Sequence, residues 1–126
     1  MIIESYQNHR GYDNKKYPLG LFTREHYRAE SEFSQKQLGY FACITLEDLS
    51  ETERISAELL KFVLQDKIDF YKYERFLNPL LSDSGFHSNL NYMIRPFSDY
   101  ESVKTYLNKL NAIPDFVDQH FVNLRE

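Results

Sequence analysis

The chain has one cysteine, no tryptophan, four glycines and four prolines among 126 residues. The lone Cys43 excludes an intramolecular disulfide and any metal site built on paired cysteines. No apolar run approaches the roughly 20 residues that a membrane-spanning helix needs. Basic clusters are missing too. Fifteen Lys and Arg are interspersed with nineteen Asp and Glu, for a net charge of −4, so nucleic-acid binding has no electrostatic footprint. HExxH, GxSxG, a phosphate-cradling glycine loop and a dinucleotide fingerprint are all absent. Met1 to Lys16 has no apolar core of the kind a secretory signal carries. A native start of this type is expected to keep the protein in the cytoplasm.

What is present is aromatic: ten Tyr and ten Phe on a chain whose mean hydropathy is −0.58. Bulky rings on a polar chain point to amphipathic helices, or to surfaces that another body covers. The periodicity predicts a mainly α protein of about four helices with an irregular central connection. Residues 1–20 show no period and read as a polar loop or tail, leaving 21–126 as the helical segment. Thr23 is placed to cap a first helix running to about Phe41. Its inner stripe is expected to contain Phe22, His26, Ala29, Phe33, Gln37 and Phe41.

Ser50-Glu51-Thr52-Glu53 has capping-box spacing and should open a long helix to about Leu77, before Asn78-Pro79. Ile55, Leu59, Phe62, Val63, Phe70 and Tyr73 are expected on its inner face. Ser98-Asp99-Tyr100-Glu101 is a second capping-box pattern, with Phe97 as the staple residue. The helix it opens should run to Leu110, with Tyr100, Val103, Leu107 and Leu110 inward. Pro114 suits the start of a last helix, whose apolar face would be Phe116, Val117, His120, Phe121 and Leu124.

Few residues could carry chemistry. His26 and Glu30 share one helix face, but two ligands do not make a zinc site. Asp115 and Asp118 lie one turn apart on the last helix, near the start where the dipole favours acids, and His120 is turned away from them by its two-residue offset. Cys43 lies among apolar neighbours and reads as a small buried filler. A small hydrolase using His87 or Cys43 has no further sequence support. The loop Gly85-Phe86-His87-Ser88-Asn89 is the most suggestive segment, since loops on a helical scaffold commonly carry binding groups.

The order of several segments is familiar. It runs Glu47-Asp48-Leu49-Ser50, Arg54-Ile55-Ser56, Gly85-Phe86-His87, Pro96-Phe97-Ser98-Asp99-Tyr100, Tyr106-Leu107-Asn108-Lys109-Leu110, Ile113-Pro114, Asp118-Gln119 and Asn123-Leu124-Arg125-Glu126. From about Tyr17 onward this resembles the N-terminal part of the bacterial family called domain of unknown function 885. The resemblance implies longer, mostly helical proteins, often exported or lipid-anchored, whose later part carries HExxH and looks like a zinc metallopeptidase. Lys109 stands where that family usually has arginine, which keeps the charge but loses a bidentate fork.

The resemblance implies no catalytic residue, no metal ligand and no cofactor within this chain; zinc belongs to the later part of the full-length relatives. It gives Phe86, His87 and Asn89 a substrate-groove role. The stop in mid-helix is expected to reflect truncation, which makes the remainder of a longer chain one expected partner. The aromatic load makes self-association, as a freestanding helical module and homodimer, the other.

Overall fold

The computed structural model describes residues 2–9, 11–80, 85–93 and 96–126. It is mainly helical, and no strand occurs among the described residues. The helices are α1 (Ile2–Asn8), α2 (Arg24–Phe41), α3 (Glu51–Lys72), α4 (Phe86–Asn89), α5 (Tyr100–Asn111) and α6 (Ile113–Arg125). The chain divides into two compact units. One is Met1–Gly11 with Glu25–Glu74, and the other is Tyr12–Arg24 with Arg75–Glu126.

The first unit is built on α2 and α3. The Ser50 capping box forms as its spacing predicts: Ser50 Oγ accepts from the Glu53 amide, while Glu53 Oε2 accepts from the Ser50 amide at 3.0 Å. These bonds satisfy orphan amides at the start of α3. The core joins Ile2, Phe41, Ala57, Leu60 and Leu64, with Tyr6, Leu38, Leu46 and Leu49 packed around it.

Two expected faces are corrected here. On α2 the buried residues are Ser31, Ser34, Gln37 and Phe41, while Ala29 is exposed. Ser34 Oγ satisfies itself on the Glu30 carbonyl one turn back at 2.8 Å, so this small polar side chain can be buried. On α3, Ala57, Leu60 and Leu64 go inward, and Ile55, Leu59, Phe62, Val63 and Tyr73 stay exposed. This helix is apolar on two sides, and periodicity alone cannot say which side meets α2.

A third difference is α1, which forms where a loop was expected. Ile2 buries its side chain in the core, Tyr6 packs beside it, and Ser5 Oγ accepts from Gln37 at 3.3 Å. Those tertiary contacts offset the weak intrinsic stability of a seven-residue helix. Cys43, expected as buried filler, is exposed after the end of α2.

α3 ends at Lys72, earlier than the proline signal suggested, because Glu74 turns the backbone left-handed at φ 51°. A 3₁₀ turn, Arg75–Leu77, follows and places Phe76 at 3% exposure. This break coincides with the boundary between the two units.

The second unit centres on α6, with Pro114 in its first turn. Its inward residues are Phe116, His120 and Asn123, whereas Phe121 and Leu124 are exposed, contrary to the sequence expectation. α5 begins one residue later than the capping-box pattern places it. Asp99 is the cap, accepting from the Ser102 amide at 2.8 Å and from its hydroxyl at 2.6 Å. No residue of α5 is buried, and Tyr100, Leu107 and Leu110 are exposed rather than inward. Within the central connection, α4 is followed by a 3₁₀ turn at Leu90–Met93. Ser82-Asp83-Ser84 and Arg95 lie outside the described residues.

Candidate functional site

The densest polar cluster lies in the first unit and centres on Glu30. Residue spacing along α2 puts His26 and Glu30 one turn apart on one face. The fold adds two groups that no spacing could announce. His9, just after α1, comes within 2.5 Å of Glu30 Oε1 through its Nε2. Lys67, from α3, donates to Glu30 Oε2 at 3.0 Å. Two further contacts hold these partners: the His9 ring stacks on Phe33 at 3.8 Å, and the Lys67 ammonium lies over the Tyr6 ring at 5.0 Å.

Gly11 closes this cluster. Its φ is 71°, and a Cβ there would stand 2.3 Å from Glu30 Oε1 and 3.0 Å from His26 Cε1. Only glycine gives both the left-handed backbone and the room. Burial opposes the charge on Glu30, but the hydrogen bonds from Lys67 and His9 outweigh it, so its pKa falls below the usual carboxylate value. Burial lowers the pKa of His26, against the pull of the Glu30 carboxylate and a hydrogen bond to the Gly11 backbone. Next to it, burial pushes Tyr27 up to about 12 as its ring rests against Phe70 at 5.2 Å.

Both Glu30 oxygens are therefore committed to cations or imidazole. A carboxylate so occupied is a poor general base and an effective fastener for α1, α2 and α3. Among the described residues no three His, Cys, Asp or Glu side chains are placed to hold a metal ion.

No family model matches the chain, and no curated protein and no solved structure matches it either.

In the second unit the suggestive loop becomes α4, and its three candidates separate. Phe86 stacks on the His120 ring at 4.4 Å and 9°, with Phe116 and Phe121 edge-on to it. It anchors α4 on α6. His87 and Asn89 are exposed on the same short helix. Among the described residues neither His120 nitrogen has a hydrogen-bond partner, although both are buried. Burial accordingly holds its pKa down. Asp115 and Asp118 are exposed, so the structure does not gather them with His120.

α6 also grips the chain ahead of α2. Gln119 Oε1 accepts from the Phe22 amide at 2.7 Å, and Asn123 Nδ2 donates to the Phe22 carbonyl at 2.8 Å. Both backbone groups of one residue are thus satisfied by amides one helical turn apart. Arg24 adds two bonds to Glu126 Oε2, at 2.8 and 2.6 Å. An open groove of about 390 Å³ runs along α5, lined by Phe97, Asp99, Ser102, Tyr106 and Lys109 among others. Its acid is already committed, since Asp99 is bound by Ser102 and its pKa lowered accordingly.

The remaining feature is a surface. Ile55, Leu59, Phe62 and Val63 on α3 form a contiguous apolar stripe, and Phe62 is 73% exposed. No candidate from the sequence included it, because these residues were assigned to the core. The available signal was the second apolar set, Ala57-Leu60-Leu64, offset around the same helix.

Proposed function

We propose that this chain is a non-catalytic helical interaction module that works through the outer face of α3. The observation that carries this reading is the division of α3 into two apolar sides. Ala57, Leu60 and Leu64 build the core, while Ile55, Leu59, Phe62 and Val63 remain in solvent. Exposed large apolar side chains in contiguous array mark interaction surfaces, and scattered ones do not. A photoreactive amino acid at position 62 tests this in the cells that make the protein. Adducts from position 62, and none from exposed Arg28 on α2, are the expected result. Failure of position 62 to form any adduct would sink the reading.

The second reading takes the chain as the scaffold and substrate-groove region of a longer zinc metallopeptidase-like protein. It rests on the motif order described above. The exposure of His87 and Asn89 on a helix anchored by Phe86 supports a groove role for them. Peptide titration followed by amide chemical shifts tests it, and peptides that leave residues 86–89 unmoved would remove it.

A further inference from the structure

α3 sorts its charges as well as its apolar side chains. At roughly 100° per residue, Ile55, Leu59 and Phe62 fall on one stripe, away from buried Ala57, Leu60 and Leu64. The charged residues on that side are all acidic. Glu51 stands one turn before Ile55, Glu58 and Asp66 stand one turn to either side of Phe62, and Asp69 follows.

The bases of α3 are turned elsewhere. Lys67 is held by Glu30 and lies over the Tyr6 ring. Lys61 lies over the Phe41 ring at 5.7 Å and reaches round to Glu58 at 3.2 Å. Arg54 is about 100° round the helix from Ile55. Lys72 rests on the Tyr73 ring at 5.2 Å, beyond the end of the stripe. Contacts along the helix leave the negative field in place. Asp69 accepts from the neutral Gln65 amide at 2.9 Å, and an exposed pair such as Glu58–Lys61 is weak.

We propose that the outer face of α3 takes a basic amphipathic helix of another protein. Its apolar side chains would cover Ile55, Leu59 and Phe62, and its Lys or Arg side chains would meet Glu51, Glu58 and Asp66. The proposal rests on the interaction-module reading and names the chemistry of the partner. An apolar stripe alone accepts any apolar surface, and the carboxylates around it choose among them. A second copy would bring the same acids against these, and an anionic lipid surface would do likewise. A basic flank covers Phe62 and leaves no carboxylate beside another. The shape of the stripe selects a helix. Its anchors lie four and then three residues apart, about 10 Å end to end, which matches the anchors of a facing helix. An extended segment would lay unpaired backbone groups on the apolar row.

A synthetic amphipathic helix of leucine and lysine is the probe, and a leucine–glutamate peptide with the same apolar pattern is its counterpart. Titrated into the isotope-labelled full chain, the lysine peptide should move the amides of residues 51–69. It should bind about tenfold more tightly than the glutamate peptide, and about 0.5 M salt should remove most of that difference. Glu58→Lys with Asp66→Lys should weaken binding about tenfold, and Phe62→Ser should do the same. Glu32→Lys with Glu47→Lys changes the net charge equally at exposed sites off this face and should leave binding within about twofold. Helicity and urea midpoint of each variant report whether the fold is kept, and Glu58→Gln with Asp66→Asn repeats the test without reversing charge. In cells, the segment joined to photoreactive position 62, sequenced from the adduct, should carry helically spaced apolar residues flanked by Lys or Arg.

Equal binding of the two peptides, shifts confined to residues outside α3, or indifference to positions 58, 62 and 66 would overturn the proposal. So would an adduct segment that is neutral, acidic or drawn from this same chain. Such a segment would still leave the interaction module standing. If position 62 forms no adduct at all, both fall together.

Discussion

Two imidazoles in this protein, His26 and His120, are held neutral by burial, and their surroundings differ. His26 has the Glu30 carboxylate and the Gly11 backbone to draw a proton back. Around His120 the described neighbours are rings: Phe22, Phe86 and Phe116. Both folded pKa values lie below the ordinary 6.5. The unfolded chain therefore binds more protons below that value, and stability falls as the pH drops through it. His120→Phe should flatten part of this acid limb and raise stability by about 1 kcal/mol at neutral pH, by removing buried nitrogens without partners. Urea unfolding at pH 7.5 and 5.5 measures both effects; a variant less stable at both pH values would contradict this account.

Glu30 behaves in the opposite sense. Its folded pKa lies below 4.5, so its contribution is complete above that value and disappears as the pH falls through the folded one. Glu30→Gln should lower stability by about 2 kcal/mol at pH 7, since it leaves Lys67 and His9 without their carboxylate. The loss should fade in the most acidic samples, where the parent carboxyl is itself protonated. Denaturant midpoints across pH 3 to 7 would show this convergence.

Among the elements, α3 tests the assignment of faces most sharply. Leu64 is fully buried and Leu59 is 63% exposed, five residues away on the same helix. Leu64→Ala should cost about 3 kcal/mol and Leu59→Ala under about 1 kcal/mol in the monomer. Equal losses would mean that the outer face is not free. What could be read in advance at this scale was local. The Ser50–Glu53 box needs only three-residue spacing and helical geometry, and it formed as expected. The start of α6 followed from Pro114 in the same way. The Asp99 cap was missed by one residue because Ser98 and Asp99 are both competent acceptors, and only the backbone shows which one takes the cap.

At the scale of the whole molecule, the Glu30 cluster gathers groups from positions 9, 26, 30 and 67. Only His26 and Glu30 were legible as neighbours, since their four-residue spacing is a property of one helix. His9 and Lys67 reach the carboxylate through the packing of α1 and α3, which no spacing encodes.

By itself the sequence determined the helical class, the position of the four long helices, the capping of α3 and the lack of any local catalytic motif. Those are consequences of short-range rules: apolar period, cap chemistry, proline and glycine geometry. Tertiary structure alone decided which side of α2, α3, α5 and α6 turns inward, that residues 2–8 become a helix, and that Glu30 gains His9 and Lys67. The physical reason is that burial is a property of pairs of surfaces. A helix with two apolar sides fits either way until a partner surface, here Phe41 and Leu38 of α2 with Ile2 and Tyr6 of α1, selects one and leaves the other to the solvent.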